Sequence, residues 1–389
     1  MSYTTPKGTF DILPQETRAE DAWKASHRWA YLDEVMRKLS DDYGFSEIRT
    51  PIFEHTDLFV RGVGETSDIV SKEMYTFSDK AERSLSLRPE GTAPVARAFV
   101  QGGLKQLGSF HKLFYIGPFF RYDRPQAGRF RQFHQFGVEA IGKDDAEQDF
   151  EIIDMTVNLY KRLGIKNLNV LVNTLGDDAC RKTYKEQLLS FLKPHFENLS
   201  PESQKRFTKN PLRILDSKDK KEQALLERAP TILDCLSPKS ESRFASLTKL
   251  LENRGIPYTL APKLVRGLDY YNETVFEVTS NVLGAQNTIG AGGRYNGLIK
   301  ALGGQDLPAI GFSTGIERIL KTMEGQSCQF PAKKGPFAYF VPLASEAKER
   351  ALNILYALRH NAISAEITNE TKIQKGLKKA QDIAATFAI

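Results

Sequence analysis

Cysteine is scarce in this chain of 389 residues, and long hydrophobic runs are absent from it. The three cysteines, Cys180, Cys235 and Cys328, lie far apart and form no CxxC pair, which excludes a disulfide framework and a zinc cage of the usual spacing. No apolar stretch approaches the roughly 20 residues that span a bilayer, so we expect no membrane segment. The first residues carry no apolar core that would make a secretory signal, and we therefore expect a cytoplasmic protein.

A familiar nucleotide-binding signature, the phosphate-binding pattern GxxxxGK[ST], is also missing. A nucleotide would therefore have to be held by arginines and by sheet backbone. The six histidines show no metal-ligand spacing. The charge is mildly basic, with 54 Lys and Arg against 48 Asp and Glu, which permits a polyanionic partner such as RNA without demanding one.

Hydrophobic periodicity predicts a chain that mixes helices with strands. Apolar residues recur every three to four positions over 17–43 and predict an amphipathic helix that Gly44 would end. A second helix would open at Thr92 and end at Gly102. Two-residue alternation predicts strands over 85–88, over both arms of an antiparallel hairpin at 114–141, over 264–279, and again within 308–320.

Changes in composition along the chain predict its domain boundaries. Residues 178–256 are rich in Lys, Arg, Glu and Leu at helical spacing, and we interpret them as a helical subdomain inserted into a catalytic domain at 1–330. The segment 331–336, with the sequence PAKKGP, has the composition of a linker. Strands and helices alternate over 337–389, which is typical of an α/β domain.

The second arm of the hairpin carries a face that could bind a ligand. Because strand side chains alternate, Gln135, Gly137 and Glu139 share one face while apolar residues occupy the other. Gly137 leaves room between an amide and a carboxylate, which suits a ligand with a cationic amine; the alternative is a solvated sheet face. Arg121 and Arg129 near the turn favour a ligand, because guanidinium groups bind phosphates and stack on adenine-like rings.

Further candidate residues come from three distant segments. Residues 266–271 (RGLDYY) and 292–295 (GGRY) place arginine and tyrosine beside glycines, where a ligand can approach the backbone closely. Either segment could instead be an ordinary loop turn. Arg318 lies on a predicted helix whose apolar stripe faces elsewhere, and the alternative for it is an exposed helical arginine.

Taken together, these segments resemble bacterial histidyl-tRNA synthetases, which are class II aminoacyl-tRNA synthetases. The three class II motifs occur in order: the first helix with the strand up to Pro51, then Phe120 to Glu139, then Gly311 to Arg318. Two more segments, 264–271 and 291–295, resemble those specific to the histidine enzyme. The joint occurrence of five ordered motifs carries the resemblance, since any one of them alone is weak.

The resemblance implies a role for each candidate residue. Histidine would be bound by Glu90, Thr92, Gln135, Glu139, Tyr271 and Tyr295. ATP would be bound by Arg121, Arg129 and Arg318.

The resemblance also assigns the catalytic and tRNA contacts. Arg266, with Arg121, would stabilise the charge that develops at the α-phosphate. Arg124 and Gln126, in the hairpin turn, would contact the acceptor end of tRNA. Mg²⁺ would accompany ATP on its β- and γ-phosphates, and the sequence does not identify the ligands of the metal.

The fold that the resemblance implies is α+β, in which helices flank the antiparallel sheet of a class II synthetase and motif 1 forms a homodimer interface. The implied reaction is ATP-dependent ligation of L-histidine to tRNA(His) through a histidyl-adenylate. The domain at 337–389 would read the anticodon. Because the family's last domain has five strands and this chain stops at Ile389 within the third, we expect that domain to be truncated.

Two other functions are compatible with such a fold. One is the non-catalytic, histidine-binding regulatory subunit of ATP phosphoribosyltransferase, which lacks an anticodon domain. Arg129, Arg266 and Arg318 argue against it, because a histidine sensor does not need cations for adenylate formation. The other is a synthetase-like sensor of uncharged tRNA, which would need a fused effector domain for which the sequence offers no candidate.

Overall fold

The computed structural model describes residues 3–15, 18–65, 67–123, 128–283 and 287–389. The chain divides into two compact units, Met1–Gln329 and Phe330–Ile389. Within the described residues the strands are β1 (Ser46–Glu47), β2 (Phe53–His55), β3 (Thr76–Ser78), β4 (Ser84–Leu87), β5 (His111–Phe120), β6 (Gln132–Ile141), β7 (Leu168–Thr174), β8 (Tyr258–Leu260), β9 (Asn272–Ser280), β10 (Thr288–Arg294), β11 (Ala309–Gly315), β12 (Ala338–Phe340), β13 (Ala365–Ile367) and β14 (Phe387–Ala388).

The α-helices of the same residues are α1 (Ser26–Asp42), α2 (Thr56–Val63), α3 (Thr92–Gln101), α4 (Ala146–Arg162), α5 (Asp178–Leu192), α6 (Pro201–Lys209), α7 (Lys220–Leu226), α8 (Pro238–Asn253), α9 (Leu298–Ala301), α10 (Ile316–Gly325), α11 (Ser345–His360) and α12 (Ile373–Asp382). In the part of the chain that the structure describes, no helix is both long enough and apolar enough to cross a membrane.

A sheet of eight strands, counted over the described ranges, forms the centre of the first unit. Its order is β1-β5-β6-β11-β10-β9-β7-β8. Neighbouring strands are antiparallel except at the two edges, where β1 pairs with β5 and β7 with β8 in parallel. Helices α4 and α10 pack against this sheet. The α+β class predicted from the sequence is therefore confirmed.

The long hairpin predicted at 114–141 is confirmed as β5 and β6. Their register places Tyr115 opposite Gly137 and Gly117 opposite Gln135. Phe136 and Val138, which alternate with Gln135 and Glu139 along β6, are fully buried. The alternation of apolar and polar residues therefore fixes which side chains of β6 enter the core.

A small antiparallel sheet precedes α3, and the first residues of the candidate site lie at the start of that helix. Its order is β2-β4-β3, and β4 is followed by the turn 88–91 and then by α3. Pro94 lies in the first turn of α3, where the missing backbone N–H removes no helical hydrogen bond. The helix predicted to open at Thr92 is confirmed.

The first predicted helix is shorter than expected. A 3-10 turn covers Ala19–Lys24, and α1 begins only at Ser26. Ala25 is extended because it pairs with Leu13 and because the Ser26 backbone N–H donates to the Leu13 carbonyl at 2.7 Å. Gly44, at φ +73°, follows the end of the helix as predicted.

Helices α5 to α8 lie between β7 and β8 and are hereafter called the insert. Helices α5 to α7 and the turns between them share one apolar cluster, whereas α8 packs against α4. Asp177, Ser200, Asp219 and Ser237 cap the first turns of these four helices by accepting backbone N–H donors. Prolines stand at the first position of α6 and α8. The helical character expected for this stretch is thus explained by its capping residues and prolines.

The strand predicted over 264–279 is wrong in its first half. Residues 264–271 are irregular, and β9 begins only at Asn272. The main chain of this segment bonds outside the sheet: the Asp269 N–H donates to the Val63 carbonyl, and the Arg266 carbonyl accepts from Arg213. These tertiary contacts replace the ladder that the local alternation predicted.

The second unit is a small parallel α/β layer. Its described residues form a three-stranded sheet of order β13-β12-β14. Helix α11 packs on this sheet through Ala351 and Leu355, which contact Ala338 and Phe340 in one apolar cluster. The order of strands and helices matches the alternation predicted over 337–389.

Candidate active site

One cavity of about 620 Å³ in the first unit brings together the predicted site residues that the structure describes. It is lined by the residues to which the resemblance gives roles in binding histidine, in binding ATP and in catalysis: Glu90, Thr92, Gln135, Glu139, Tyr271, Tyr295, Arg121, Arg129, Arg266 and Arg318. Arg124 and Gln126 lie outside the described residues. Segments separated by more than 200 positions in the sequence thus share one site.

Glu139 is a deeply buried acid of the cavity, with 1% of its surface exposed. Its Oε1 accepts a hydrogen bond from the Thr92 hydroxyl at 2.8 Å, and its Oε2 accepts from the Tyr295 hydroxyl at 2.6 Å. Burial raises the pKa of Glu139 to about 8, against the effect of these two donors, which lower it. This carboxyl therefore holds its proton at neutral pH in the absence of a ligand.

Glu90 occupies the start of α3. Its two carboxylate oxygens accept hydrogen bonds from the backbone N–H groups of Thr92 and Ala93, at 2.8 and 2.9 Å. Burial raises the pKa of Glu90, and these N–H donors and the Arg121 charge oppose the increase. Because the acid satisfies two free N–H groups of a helix terminus, its position is fixed by the fold.

Gln135 supplies an acceptor that is still free. Its Oε1 is buried, and it has no hydrogen-bond partner among the residues that the structure describes. Buried polar atoms are nearly always paired, so an unpaired acceptor in a cavity indicates a place for a ligand donor. Gln135 lies four residues before Glu139 on the same face of β6, which corresponds to about 13 Å along the strand.

Tyrosines enclose the acidic part of the cavity. The rings of Tyr270 and Tyr271 have centroids 4.6 Å apart, and Tyr270 meets Tyr295 edge to face at 5.7 Å. Tyr115 is buried as well, and a Cβ atom added at either Gly91 or Gly137 would overlap its ring. The two glycines therefore give this ring its space.

Three arginines lie near the turn of the hairpin. Arg121 donates through Nε to the Pro89 carbonyl at 2.8 Å, and its guanidinium lies 5.3 Å from the centre of the Phe133 ring. Arg318 donates through Nε to the Thr288 carbonyl at 2.8 Å. Burial lowers the pKa of both, yet a guanidinium stays charged at any physiological pH.

Arg129 completes this cationic group. It forms an ion pair of 2.9 Å with Asp123, and its charge adds to burial in lowering the pKa of Arg318. Two guanidinium groups that repel each other in the free protein gain stability when a polyanion lies between them. The hairpin turn therefore presents a site for phosphate groups.

Arg266 approaches the cavity from the irregular segment before β9. It is ion-paired with Glu277 of β9, and its guanidinium lies 5.9 Å from the centre of the Tyr271 ring. Burial lowers the pKa of Arg266, but the Glu277 charge together with the smaller effects of Tyr271, Tyr270 and Asp216 outweighs it, and the pKa is raised. The Nε atom of Arg266 has no hydrogen-bond partner within the described ranges.

Several residues of the site were given no individual role from the sequence. Tyr115, Tyr270, Glu277 and Arg213 also line the cavity. The hairpin register contained a signal for Tyr115, because a residue opposite Gly137 must share its face. Glu277 gave no comparable signal, since its partner Arg266 comes from an irregular segment.

The cavity offers no ready-made metal cage. Among residues 3–15, 18–65, 67–123, 128–283 and 287–389, no group of three or more His, Cys, Asp or Glu side chains is placed to hold a metal ion. The arrangement instead combines buried acceptors with the guanidinium groups of Arg121, Arg129, Arg266 and Arg318. Such a cavity can bind a cationic amine next to a polyphosphate and stabilise negative charge on the phosphate.

Comparison with known proteins gives one consistent family. The family model described as histidyl-tRNA synthetase matches residues 8–319. A curated relative from Protochlamydia amoebophila, named histidine–tRNA ligase, is 51% identical over 390 residues, with 100% of this chain and 92% of the relative covered. A second, from Desulforamulus reducens and of the same name, is 49% identical and covers 94% and 85%.

The structural comparison agrees. The crystal structure of apo S. aureus histidyl-tRNA synthetase matches with a TM-score of 0.82 and 36% identity, covering 100% of this chain and 91% of that one. The identity, the coverage and the shared fold lead to one conclusion: the chain belongs to the histidyl-tRNA synthetase family.

Proposed function

We propose that this chain activates L-histidine with ATP and transfers the histidyl group to tRNA(His). The observation that carries the proposal is the content of one cavity, where buried acceptors suited to a cationic amino acid lie beside guanidinium groups suited to a triphosphate. Family membership supports the same reaction, because the relatives described above are named histidine–tRNA ligase.

Histidine recognition would use the acidic part of the cavity. Histidine carries an amine and an imidazole, and Glu90, Gln135 and Glu139 offer acceptors for both. The unpaired Oε1 of Gln135 would gain a donor, and Glu139 would ionise as a cationic group replaces its proton. A site built to bond polar groups discriminates strongly against amino acids that lack them.

Activation would be driven by position and charge. A carboxylate oxygen of histidine attacks the α-phosphorus of ATP, the bond to the bridging oxygen breaks, and pyrophosphate leaves. The attacking carboxylate is already ionised, so no base is needed. Arg266 and Arg121 would stabilise the charge that grows on the α-phosphate oxygens, while Arg129 and Arg318 would hold the other phosphates and the adenine.

Transfer would follow in the same cavity. A terminal ribose hydroxyl of tRNA attacks the carbonyl carbon of the adenylate, the bond to the phosphate oxygen breaks, and AMP leaves with the hydroxyl proton on a phosphate oxygen. Arg124 and Gln126 remain proposed contacts to the acceptor end. The unit Phe330–Ile389 is proposed to read the anticodon, and the insert to lie over the acceptor stem.

We propose that Mg²⁺ enters with ATP, bound to its β- and γ-phosphates. The ion commonly keeps several waters and uses substrate phosphates with only one or two carboxylates, so it needs no dedicated protein cage. The lack of a ligand cluster among the described residues is compatible with this role.

A homodimer is proposed on the basis of exposed apolar side chains. Ile52, Phe53 and Phe77 of the small sheet region are 45%, 51% and 43% exposed, and the two phenylalanine rings lie 6.3 Å apart. A second copy would cover this surface. Light scattering of the purified chain would give the mass of two chains, and Phe53→Glu would shift it towards one.

Histidine-dependent exchange of pyrophosphate into ATP tests the proposed activation, and charging of tRNA(His) tests the transfer. The regulatory subunit of ATP phosphoribosyltransferase, the alternative, would bind histidine but catalyse no exchange. It is the less supported function, because the relatives with high identity carry the ligase name. Histidine binding without any exchange would overturn the proposal.

A further inference from the structure

The insert touches the catalytic part of the chain at the segment that carries Arg266. Arg213 lies in the 3-10 turn Pro211–Asp216 of the insert and is 8% exposed. Its Nη1 donates to the main-chain carbonyl of Arg266 at 3.1 Å, and its Nη2 donates to Asp68 at 3.1 Å. One guanidinium therefore connects the insert, residue Arg266 and the segment before Ile69.

Two further contacts fix the same segment, residues 264–271, hereafter the Arg266 loop. Asn210 of the insert donates through Nδ2 to Asp269 at 2.8 Å. Val265 packs against the apolar cluster of the insert and also against the cluster of Leu175 and Tyr271. The loop is thus held by the insert on both sides of Arg266.

The Arg266 loop depends on these contacts because it has no regular structure of its own. The position next to Arg266 is Gly267, and a Cβ atom there would lie only 3.2 Å from Nη1 of Arg213. The glycine permits the guanidinium to reach the carbonyl. A hydrogen bond from a charged donor is about twice as strong as a neutral one, so this contact is suited to fix a main-chain position.

The position of this main chain matters for the chemistry. The Arg266 guanidinium contacts Glu277 and lies near the Tyr271 ring, on the cavity wall. A displacement of about 1 Å in a group that stabilises a transition state can lower a rate by about 10²-fold. Any movement of the main-chain carbonyl of Arg266 would also displace the guanidinium group of the same residue.

We propose that Arg213 is a positioning residue for adenylate formation, and that through it the arrangement of the insert controls the reach of Arg266. Arg213 itself touches neither histidine nor ATP in this mechanism. It acts by linking the carbonyl of Arg266, through hydrogen bonds, to Asp68 and to the insert. The inference rests on the proposed function, since it concerns the rate of the proposed activation step.

The test compares Arg213→Met with a control change, Lys72→Met. Lys72 also donates to Asp68, at 3.1 Å, but has no hydrogen bond to Arg213 or to the Arg266 carbonyl among the described residues. We expect Arg213→Met to lower the kcat of histidine-dependent pyrophosphate exchange by about tenfold or more, with the KM values for histidine and ATP within about threefold of the parent. We expect Lys72→Met to lower kcat by less than about threefold.

A double substitution separates positioning from a general loss of structure. If Arg213 acts through Arg266, then in an Arg266→Ala background Arg213→Met should change kcat by less than about twofold. A merely structural role would multiply the two losses. Arg213→Lys, which keeps the charge but not the planar fork, is expected to recover part of the activity and serves as the test if Arg213→Met does not fold.

Each outcome has one meaning. Equal kcat values for Arg213→Met and Lys72→Met, or multiplied losses in the Arg266→Ala background, would overturn the inference while leaving the proposed function intact. Absence of histidine-dependent exchange in the parent chain would overturn the proposed function instead. A loss confined to Arg213→Met, with no further effect beside Arg266→Ala, would support the inference.

Discussion

Replacing Glu139 by Gln removes the ability of this side chain to ionise while preserving its shape. In the folded chain Glu139 faces the hydroxyls of Thr92 and Tyr295, and the Glu90 charge also acts on it. Both hydroxyls can bond an amide as readily as a carboxylate, because each can donate or accept. The substitution therefore isolates the effect of ionisation on histidine binding.

The magnitude follows from the raised pKa. With a pKa of about 8, only about one Glu139 in eleven is ionised at pH 7. If histidine requires the ionised form, its affinity at pH 7 lies about tenfold below the plateau reached well above pH 8, which corresponds to about 1.4 kcal/mol. Because the proton is displaced on binding, affinity rises as the pH rises through this range.

The stability of the free protein should change in the opposite direction. The folded pKa lies above the unfolded value near 4.5, so the folded state binds the extra proton, and this group's contribution to stability is lost as the pH rises between about 4.5 and 8. At pH 7 the loss amounts to about 3 kcal/mol. Glu139→Gln should therefore unfold at higher denaturant concentration than the parent at pH 7 to 8.

Isothermal titration calorimetry measures the binding part directly. Histidine affinity is determined between pH 6.5 and 9 for the parent and for Glu139→Gln, and at pH 7 in buffers of different ionisation enthalpy. The parent should release about nine-tenths of a proton more than the variant at pH 7. In the variant, the pH dependence comes from the titration of free histidine itself. The difference in proton release between the two chains is therefore due to Glu139.

One result would refute this reasoning. If the parent and Glu139→Gln show the same pH dependence of histidine affinity and the same proton release, Glu139 does not change its ionisation on binding. ATP affinity is the internal control, and we expect it to change by less than about twofold. An equal loss for ATP and histidine would indicate a damaged fold.

Three further outcomes are expected. Arg266→Ala should lower the kcat of pyrophosphate exchange by about 10²-fold or more with little change in histidine affinity, since it removes one charge-stabilising donor; near-normal exchange would remove Arg266 from the mechanism. Arg318→Gln should raise the KM for ATP about tenfold or more and leave histidine binding unchanged. Calorimetry with both ligands checks this, and weaker histidine binding with unchanged ATP binding would contradict it. Arg294→Met should lower the free energy of urea unfolding by about 3–5 kcal/mol, because Arg294 lies 2.6 Å from Asp149 and both side chains are fully buried; a change below about 1 kcal/mol would contradict this.

The sequence predicts best where structure is local. The two-residue period of β6 was enough to place Gln135 and Glu139 on the cavity side, because alternation in a strand depends on immediate neighbours only. The start of α3 at Thr92 was likewise readable from the turn and the proline that surround it.

The sequence predicts poorly where distant side chains decide. Apolar and polar residues alternate in the Arg266 loop as they do in a strand. Arg213, 53 residues before Arg266, nevertheless donates a hydrogen bond to the Arg266 carbonyl, and this carbonyl therefore takes no part in the hydrogen bonds of the sheet. The ring of His134 meets Trp29 at 4.9 Å, and His134 also pairs with Glu317 at 3.0 Å, a residue 183 positions away. Such pairs require knowledge of the topology.

The ring of Tyr115 and the two glycines around it behave as one unit under substitution. Since a Cβ atom at Gly91 or Gly137 would overlap the ring, neither glycine can change while the tyrosine remains. A library randomised at all three positions should return paired changes, in which a smaller residue at Tyr115 accompanies alanine at a glycine. A designer who wants a wider amino-acid pocket would therefore shorten Tyr115 first and could then use the freed glycine positions to reshape the floor.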